Sequence, residues 1–305
     1  MTGIESAIQG GAAPGASVPP PSVLLPDAAL AFDRRARRLA AWTDDHPMAN
    51  YLTFLSALAD AQQSVSALPL VMPDQSILDR RFEHGMPLLP AEAQFLEPAW
   101  RQALGEILAH MSLTPLPDQA GEAIKALQAM APPSQDEMAA RFLKGRLAKE
   151  DLGLGLFVAA ALQVVWLRLA SVLPPALPRM IDPPGLCPVC GSAPVGGVLM
   201  VGDPLEGVRY LSCGLCGSFW HFPRSQCTHC QSEKEIAYYS FEGLTSPARA
   251  ETCQDCRIYL KLFDEAKTPG VEPFADDLAT VGLDLRMAEE GWRRVAPNPF
   301  LMAGG

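Results

Sequence analysis

The first 186 residues of this 305-residue chain contain no cysteine, and none of the eight that follow stands alone. A disulfide framework would be spread through a small secreted chain. That class gives way to a metal or redox pattern in a reducing compartment. Charge is sparse as well. Only 19% of residues are charged, with 24 Lys and Arg against 34 Asp and Glu, for a net charge of −10. Such acidity argues against general binding to nucleic acid or to anionic membranes. Between Met1 and Pro26 there is no Lys or Arg, and no apolar stretch of the kind a secretory signal requires. This Pro-, Gly-, Ala- and Ser-rich stretch reads as a disordered leader over residues 1–26, and the chain as cytoplasmic. No Ser/His/Asp arrangement, glycine-rich phosphate loop or paired-carboxylate signature stands out, so no catalytic residue is assigned and no enzyme is expected. The Glu289-Glu290 pair reads as a solvated helix face.

What is present divides in two. From Asp27 the chain reads as helices parted by proline breaks. Asp27 serves as a cap for a first helix to Leu39, with Arg34–Arg38 as its wet face. A second helix follows His46-Pro47, with Met48, Tyr51, Leu52, Leu55, Leu58 and Ala59 on one face. A third spans about Pro90–His110, kinked at Pro98, with Leu104, Ile107, Leu108 and Met111 inward. Two shorter helices cover Gln119–Met130 and Gln135–Leu147, the latter capped by Ser134. The apolar run Leu152–Leu173 holds Gly153, Gly155, Gln163 and Arg168, interruptions that favour a buried core helix over membrane insertion. Prolines 174, 175, 178, 183 and 184 then end the helical pattern. Strand-like segments follow at Gly197–Val201, Val208–Ser212 and Ile236–Phe241, and a helix returns over Asp276–Glu290. The expected class is α+β. An all-α helical domain (27–178) precedes tandem four-cysteine metal modules of zinc-ribbon type (179–261, with cysteines over 187–216 and 227–256) and a helical tail (262–305).

The cysteines form the pairs Cys187/Cys190, Cys213/Cys216, Cys227/Cys230 and Cys253/Cys256, and a shift of 40 residues maps the first four onto the last four. Such self-similarity marks an internal repeat. Each Cys-x-x-Cys turn presents two thiolates to one ion, and two turns complete a tetrahedral cage with metal–sulfur bonds of about 2.3 Å. Copy-wise pairing assigns Cys187, Cys190, Cys213 and Cys216 to one ion and Cys227, Cys230, Cys253 and Cys256 to the other. Crossed pairing between copies is the alternative. Such cages have no open position for substrate. Iron and zinc both accept tetrahedral sulfur, so spacing does not choose between them. Gly191 and Gly217 follow the second cysteine of each turn in copy one, where Gly supplies a left-handed backbone. Copy two has Gln231 and Arg257 there and is expected to be the looser site. His221 and His229 read as neighbours rather than ligands, and Phe219 and Trp220 as packing residues. Metal removal is expected to unfold the cysteine-rich half and spare the helical one.

Several stretches resemble the formate dehydrogenase accessory proteins of the FdhE family. They are Cys187-Pro-Val-Cys-Gly-Ser-Ala-Pro-Val195, Arg209-Tyr-Leu-Ser-Cys-Gly-Leu-Cys216, Trp220-His221 and Cys227-Thr-His-Cys230, with His46-Pro47 and Tyr51-Leu52 upstream. The tail adds Ala275-Asp-Asp-Leu-Ala279, Met287-Ala-Glu-Glu-Gly291 and Asn298-Pro-Phe300. The resemblance implies a cytoplasmic, non-catalytic maturation factor that contacts the catalytic subunit of respiratory formate dehydrogenase before export. It also implies two rubredoxin-like sites that hold iron. A homo-oligomer is compatible with it. Two other classes compete: a rubredoxin-like electron-transfer protein and a zinc ribbon for nucleic acid. The second meets the wrong sign of charge, since residues 179–270 carry eight Lys and Arg against ten Asp and Glu before any thiolate is counted.

Overall fold

The computed structural model describes residues 19–92, 99–240 and 248–301. Residues 1–18 of the expected leader, the expected kink at Pro98, and Phe241 lie outside them. Among the described residues, seven α-helices build the amino-terminal half: α1 (Ala31–Ala40), α2 (Ala49–Ser64), α3 (Gln75–Glu83), α4 (Ala99–Met111), α5 (Asp118–Ala129), α6 (Pro132–Leu143) and α7 (Leu152–Ser171). The buried residues of α4 are Trp100, Ala103, Leu104, Ile107, Leu108 and Met111, one stripe at three-to-four spacing. α7 differs in kind: from Gly155 to Leu167 every residue is buried. It is the axis on which α2, α4, α5 and α6 pack. Its run of Ala159, Ala160 and Ala161 lets α2 come close enough for Gln62 Nε2 to reach the Ala160 carbonyl at 2.9 Å.

Local chemistry accounts for the departures from the sequence reading. α3, which that reading does not contain, buries Leu78 alone, so it carries almost no apolar period. α6 starts at Pro132, with proline in its first turn. Ser134 therefore lies inside the helix rather than capping it. The described part of the third helix, α4, begins at Ala99, and residues 90–92 are not helical, so the helix does not begin at Pro90 as expected. The wet face assigned to Arg34–Arg38 is only half right, because Arg35 is 4% exposed.

In the second half the two four-cysteine modules share one sheet. Copy one contributes β2 (Pro194–Leu199), β3 (Arg209–Cys213) and β4 (Phe219–His221). Copy two contributes β5 (Ile236–Tyr239), β6 (Ala248–Cys253) and β7 (Ile258–Asp264), each near its counterpart shifted by the repeat. Parallel pairing of Gly197, Val198 and Leu199 with Leu262, Phe263 and Asp264 welds the copies together. One more strand, β1 (Val23–Leu24), comes from the stretch read as leader, pairing with Trp220 and Phe219 of β4. Tyr210 Oη donates to the Pro21 carbonyl at 2.5 Å beside it. At the other end, β8 (Arg293–Arg294) pairs with the start of β7.

The tail forms two helices, α8 (Pro273–Ala279) and α9 (Val281–Glu289), where the sequence suggested one. The reason is Lys261 in β7, which is 0% exposed. Its ammonium donates to the carbonyls of Asp277 (2.9 Å) and Thr280 (3.0 Å), the acceptors that a continuous helix would use for itself. One continuous core then joins the halves. It runs from Phe32 and α7 through Cys187, Cys190, Cys213 and Cys216 to Phe274 and Phe300. A smaller core of Ala250, Tyr259, Phe263, Leu283, Met287 and Trp292 underlies copy two.

Candidate metal centres

Each Cys-x-x-Cys segment folds as a tight turn closed on itself. The amide of Cys187 donates to the Ser192 carbonyl at 2.9 Å, and Cys227 repeats the bond to Ser232 at 2.8 Å. The next residue returns to the first cysteine: Gly191 N reaches the Cys187 carbonyl at 2.7 Å and Arg257 N the Cys253 carbonyl at 2.9 Å. The turn also aims amides at sulfur, with Leu215 N and Cys216 N each 3.4 Å from Cys213 Sγ. These donors offset thiolate charge. Strand pairing brings the turns together. Pro194, just beyond the first turn, stands opposite Cys213, and Ile236 stands opposite Cys253.

Two quartets result, each drawn from a single copy of the repeat. In the first, Cys187 Sγ lies 3.6 Å from Cys216 Sγ and Cys190 Sγ lies 3.4 Å from Cys213 Sγ. In the second, Cys227–Cys256 is 3.7 Å and Cys230–Cys253 is 3.6 Å. None of the eight is joined in a disulfide. A tetrahedron with metal–sulfur bonds of about 2.3 Å has sulfur–sulfur edges of about 3.8 Å, so both quartets match that donor set with small adjustment. Electrostatics agree. Burial pushes Cys187 and Cys216 far above the usual thiol range. Cys190 is held low; burial opposes its ionisation, but hydrogen bonds from Cys187, Cys213 and Cys216 outweigh it. The bare first quartet thus resists full ionisation, and a bound cation is what would stabilise four thiolates in so small a space.

The two sites differ in their surroundings. All four cysteines of the first are buried, whereas Cys230 in the second is exposed and Cys256 is half-buried. The helical half grips the first site directly. Leu89 N donates to the Val189 carbonyl at 2.7 Å, Ala91 N to the Cys190 carbonyl at 2.9 Å, and Gln163 Nε2 to the Gly214 carbonyl at 2.6 Å. Ser192 Oγ is 3.4 Å from Cys190 Sγ, and Ser218 Oγ is 3.3 Å from Cys216 Sγ. At the matching places in copy two, Ser232 Oγ turns to the Asp255 carboxylate, and Ile258 has no hydroxyl.

The glycine difference follows the same division. Gly191 and Gly217 have φ of +78° and +71°, and a Cβ on either would meet Pro87 Cγ or Leu167 Cδ1 at 3.1 Å. Copy two holds Gln231 at +61° and Arg257 at +57°, the same left-handed turn with a side chain attached. The side chain is tolerated because both residues face solvent.

Neither histidine near the cysteines joins a quartet. His221 stacks edge-on against Tyr210, and the His229 side chain is exposed. Trp220 is fully buried, its indole N–H 3.0 Å from the Pro184 carbonyl. Arg209 is the residue of this region that sequence reasoning missed. It is 1% exposed, pairs with Glu251 at 2.7 Å and donates to Thr228 Oγ1 at 2.9 Å, clamping copy one to the first turn of copy two. An arginine inside a strand pattern was the available signal.

With the geometry established, the chain can be placed among known proteins. The family model for the FdhE N-terminal region matches residues 20–180, that for the FdhE central domain residues 186–224, and that for the FdhE C-terminal domain residues 225–301. A Protein FdhE homolog of Edwardsiella ictaluri is 36% identical over 292 residues, covering 95% of this chain and 94% of that one. Protein FdhE of Salmonella typhimurium is 33% identical over 289 residues, covering 93% and 92%. The crystal structure of the FdhE protein from Pseudomonas aeruginosa superposes with a TM-score of 0.83 at 35% identity, covering 94% of this chain and 100% of that one. Similarity of this extent spans the helical half, both cysteine quartets and the tail, and the chain belongs to the FdhE family.

Proposed function

We propose that the chain is a cytoplasmic accessory factor in the maturation of formate dehydrogenase, that it binds the catalytic subunit before export, and that both quartets hold iron, with zinc as the alternative metal. Family membership along nearly the whole chain carries this reading. The site chemistry supports it: four sulfurs around one ion leave no coordination position for a substrate or an activated water. A metal supplies a cross-link between two turns. The residues themselves then hold the helical half and the sheet in one arrangement, through Gln163, Leu89 and Ala91 at the first site.

Burial of the cations in ion pairs also weighs against the nucleic-acid reading. Arg209 faces Glu251 and Lys261 faces Asp277 and Asp284, so these cations of the sheet are committed internally. One observation favours electron transfer as a second reading, namely the exposure of Cys230. Elemental analysis of anaerobically purified protein, with its visible spectrum before and after dithionite, separates the two. Zinc, or iron that does not cycle, removes electron transfer.

The maturation reading is tested by titrating the purified chain with the catalytic subunit of formate dehydrogenase in a calorimeter and assaying formate turnover of the chain alone. Saturable binding without turnover is expected. Absence of binding to that subunit, or formate oxidation by the chain itself, would overturn it.

A further inference from the structure

The two quartets descend from one repeat, yet their environments have diverged at every level. The first is sealed: its four cysteines are buried, its turns accept hydrogen bonds from Leu89, Ala91 and Gln163, and it sits inside the main core. Opening it requires parting the helical half from the sheet. The second has Cys230 exposed and Cys256 half-buried, and none of its cysteines belongs to the main core. Its turns bear Gln231 and Arg257 in left-handed backbone, a conformation that disfavours any side chain. The sulfur-facing hydroxyls of the first site are absent from it. Ser232 is turned to Asp255, and Ile258 stands where the first site has Ser218.

Resting on the reading that both quartets hold metal, we propose that they have different roles. The first is a permanent fastener of the fold. The second is an exchange site for a soft divalent cation, which enters and leaves without unfolding of the chain. Exchange proceeds by ligand substitution at the exposed turn. The thiolate of a small-molecule thiol bonds to the ion as the Cys230 Sγ–metal bond breaks, and Cys230 takes a proton from water. The ion stays divalent and no electron moves. Repetition at Cys256, the other solvent-reaching ligand, leaves the ion held by Cys227 and Cys253 alone. Two further substitutions of the same kind then release it as a complex of the small thiol, each protein sulfur taking up a proton. The same attack on the first quartet has no exposed sulfur at which to begin.

The test uses the full chain loaded with zinc and mixed with excess 4-(2-pyridylazo)resorcinol, with and without reduced glutathione. Two phases of one ion each are expected, the second at least about tenfold slower because it waits on a larger opening. Glutathione should accelerate the fast phase alone. Cys230→Ser should bind one ion and keep only the slow phase. Where that variant fails to fold, iodoacetamide labelling of the zinc-loaded natural chain, read by mass spectrometry, gives the answer. Cys230 and Cys256 should be modified well before Cys187, Cys190, Cys213 or Cys216. Two ions leaving in a single phase, a fast phase that survives in Cys230→Ser, or equal labelling of both quartets would overturn the division of roles while leaving metal binding intact. A chain that takes up no ion would overturn both.

Discussion

Gln231 and Arg257 show how one backbone requirement is met under two sets of conditions. All four cysteine turns need a left-handed residue after the second cysteine. In copy one, Pro87 and Leu167 stand 3.1 Å from where a Cβ would sit and crowd any side chain, so glycine meets both demands. In copy two only the dihedral demand exists. Arg257 gains something in return, with its guanidinium 3.9 Å above the Trp292 ring and bonded to the Glu290 carbonyl. Gln231 shows no comparable side-chain anchor. Replacing Gln231 with Gly should therefore stabilise the second site by about 1 kcal/mol, read as a higher zinc affinity in a competition titration. Gly217→Gln should do the reverse at the first site and by more, since strain is joined by overlap with Leu167 and Pro26. Lower melting temperature in Gly217→Gln and none in Gly191→Ala would contradict this account, because both carry the same two constraints.

Helix α8 acts as a rivet, through adjacent carboxylates that face opposite ways. Asp276 turns to the helical half, where Arg38 Nε and the Trp42 indole N–H donate to it at 2.7 and 2.8 Å. Asp277 turns to the sheet, pairing with Lys261 at 3.2 Å and with Arg294, and accepting from Asn298 Nδ2 at 3.0 Å. Glu272 caps the helix through Ala275 N at 2.6 Å and also meets Arg35 at 3.3 Å. Burial pushes Asp276 and Glu272 above the ordinary carboxyl range, with Arg38 and Arg35 pulling the other way. Asp277→Ala should cost about 3–5 kcal/mol, since it strands buried cations, measurable as a lowered urea midpoint. Asp276→Ala should instead loosen α1 from the tail, read as faster amide exchange in Ala31–Ala40. These links explain what could be read in advance at this scale. Apolar stripes such as that of α4 were legible because each residue's fate depends on its own helix. The Arg34–Arg38 run was misread because charged residues default to solvent, and Arg35 and Arg38 find partners more than 200 residues away. β6 and β7 were likewise missed, with Glu251 and Lys261 breaking an apolar pattern that distant ion pairs restore.

At the scale of the whole molecule, the continuous core changes what metal removal should do. Composition suggested a metal-dependent half beside an independent helical one. The structure instead places the first quartet in the same continuous core as α7, with Gln163 as the junction. Gln163 is 1% exposed and joins Arg35 (3.1 Å), Gln62 (2.9 Å) and the Gly214 carbonyl of the first site. This is a polar knot at the centre of an apolar helix, and each partner would lose a buried hydrogen bond without it. Gln163→Leu should cost several kcal/mol, about 1–3 for each stranded buried group. The prediction for metal follows from the same geometry. Emptying the first site removes the cross-link that holds Gly214, Val189 and Cys190 against the helices, so the helical signal at 222 nm should soften together with that of the sheet. Emptying the second should disturb only the smaller core of Tyr259, Phe263, Met287 and Trp292. Thermal melts of Cys187→Ser and Cys230→Ser, followed by far-ultraviolet dichroism and tryptophan fluorescence, distinguish these cases. A Cys187→Ser chain whose helices melt as in the natural protein would mean that the helical half stands alone. The shared core would then carry no coupling between the first quartet and α7.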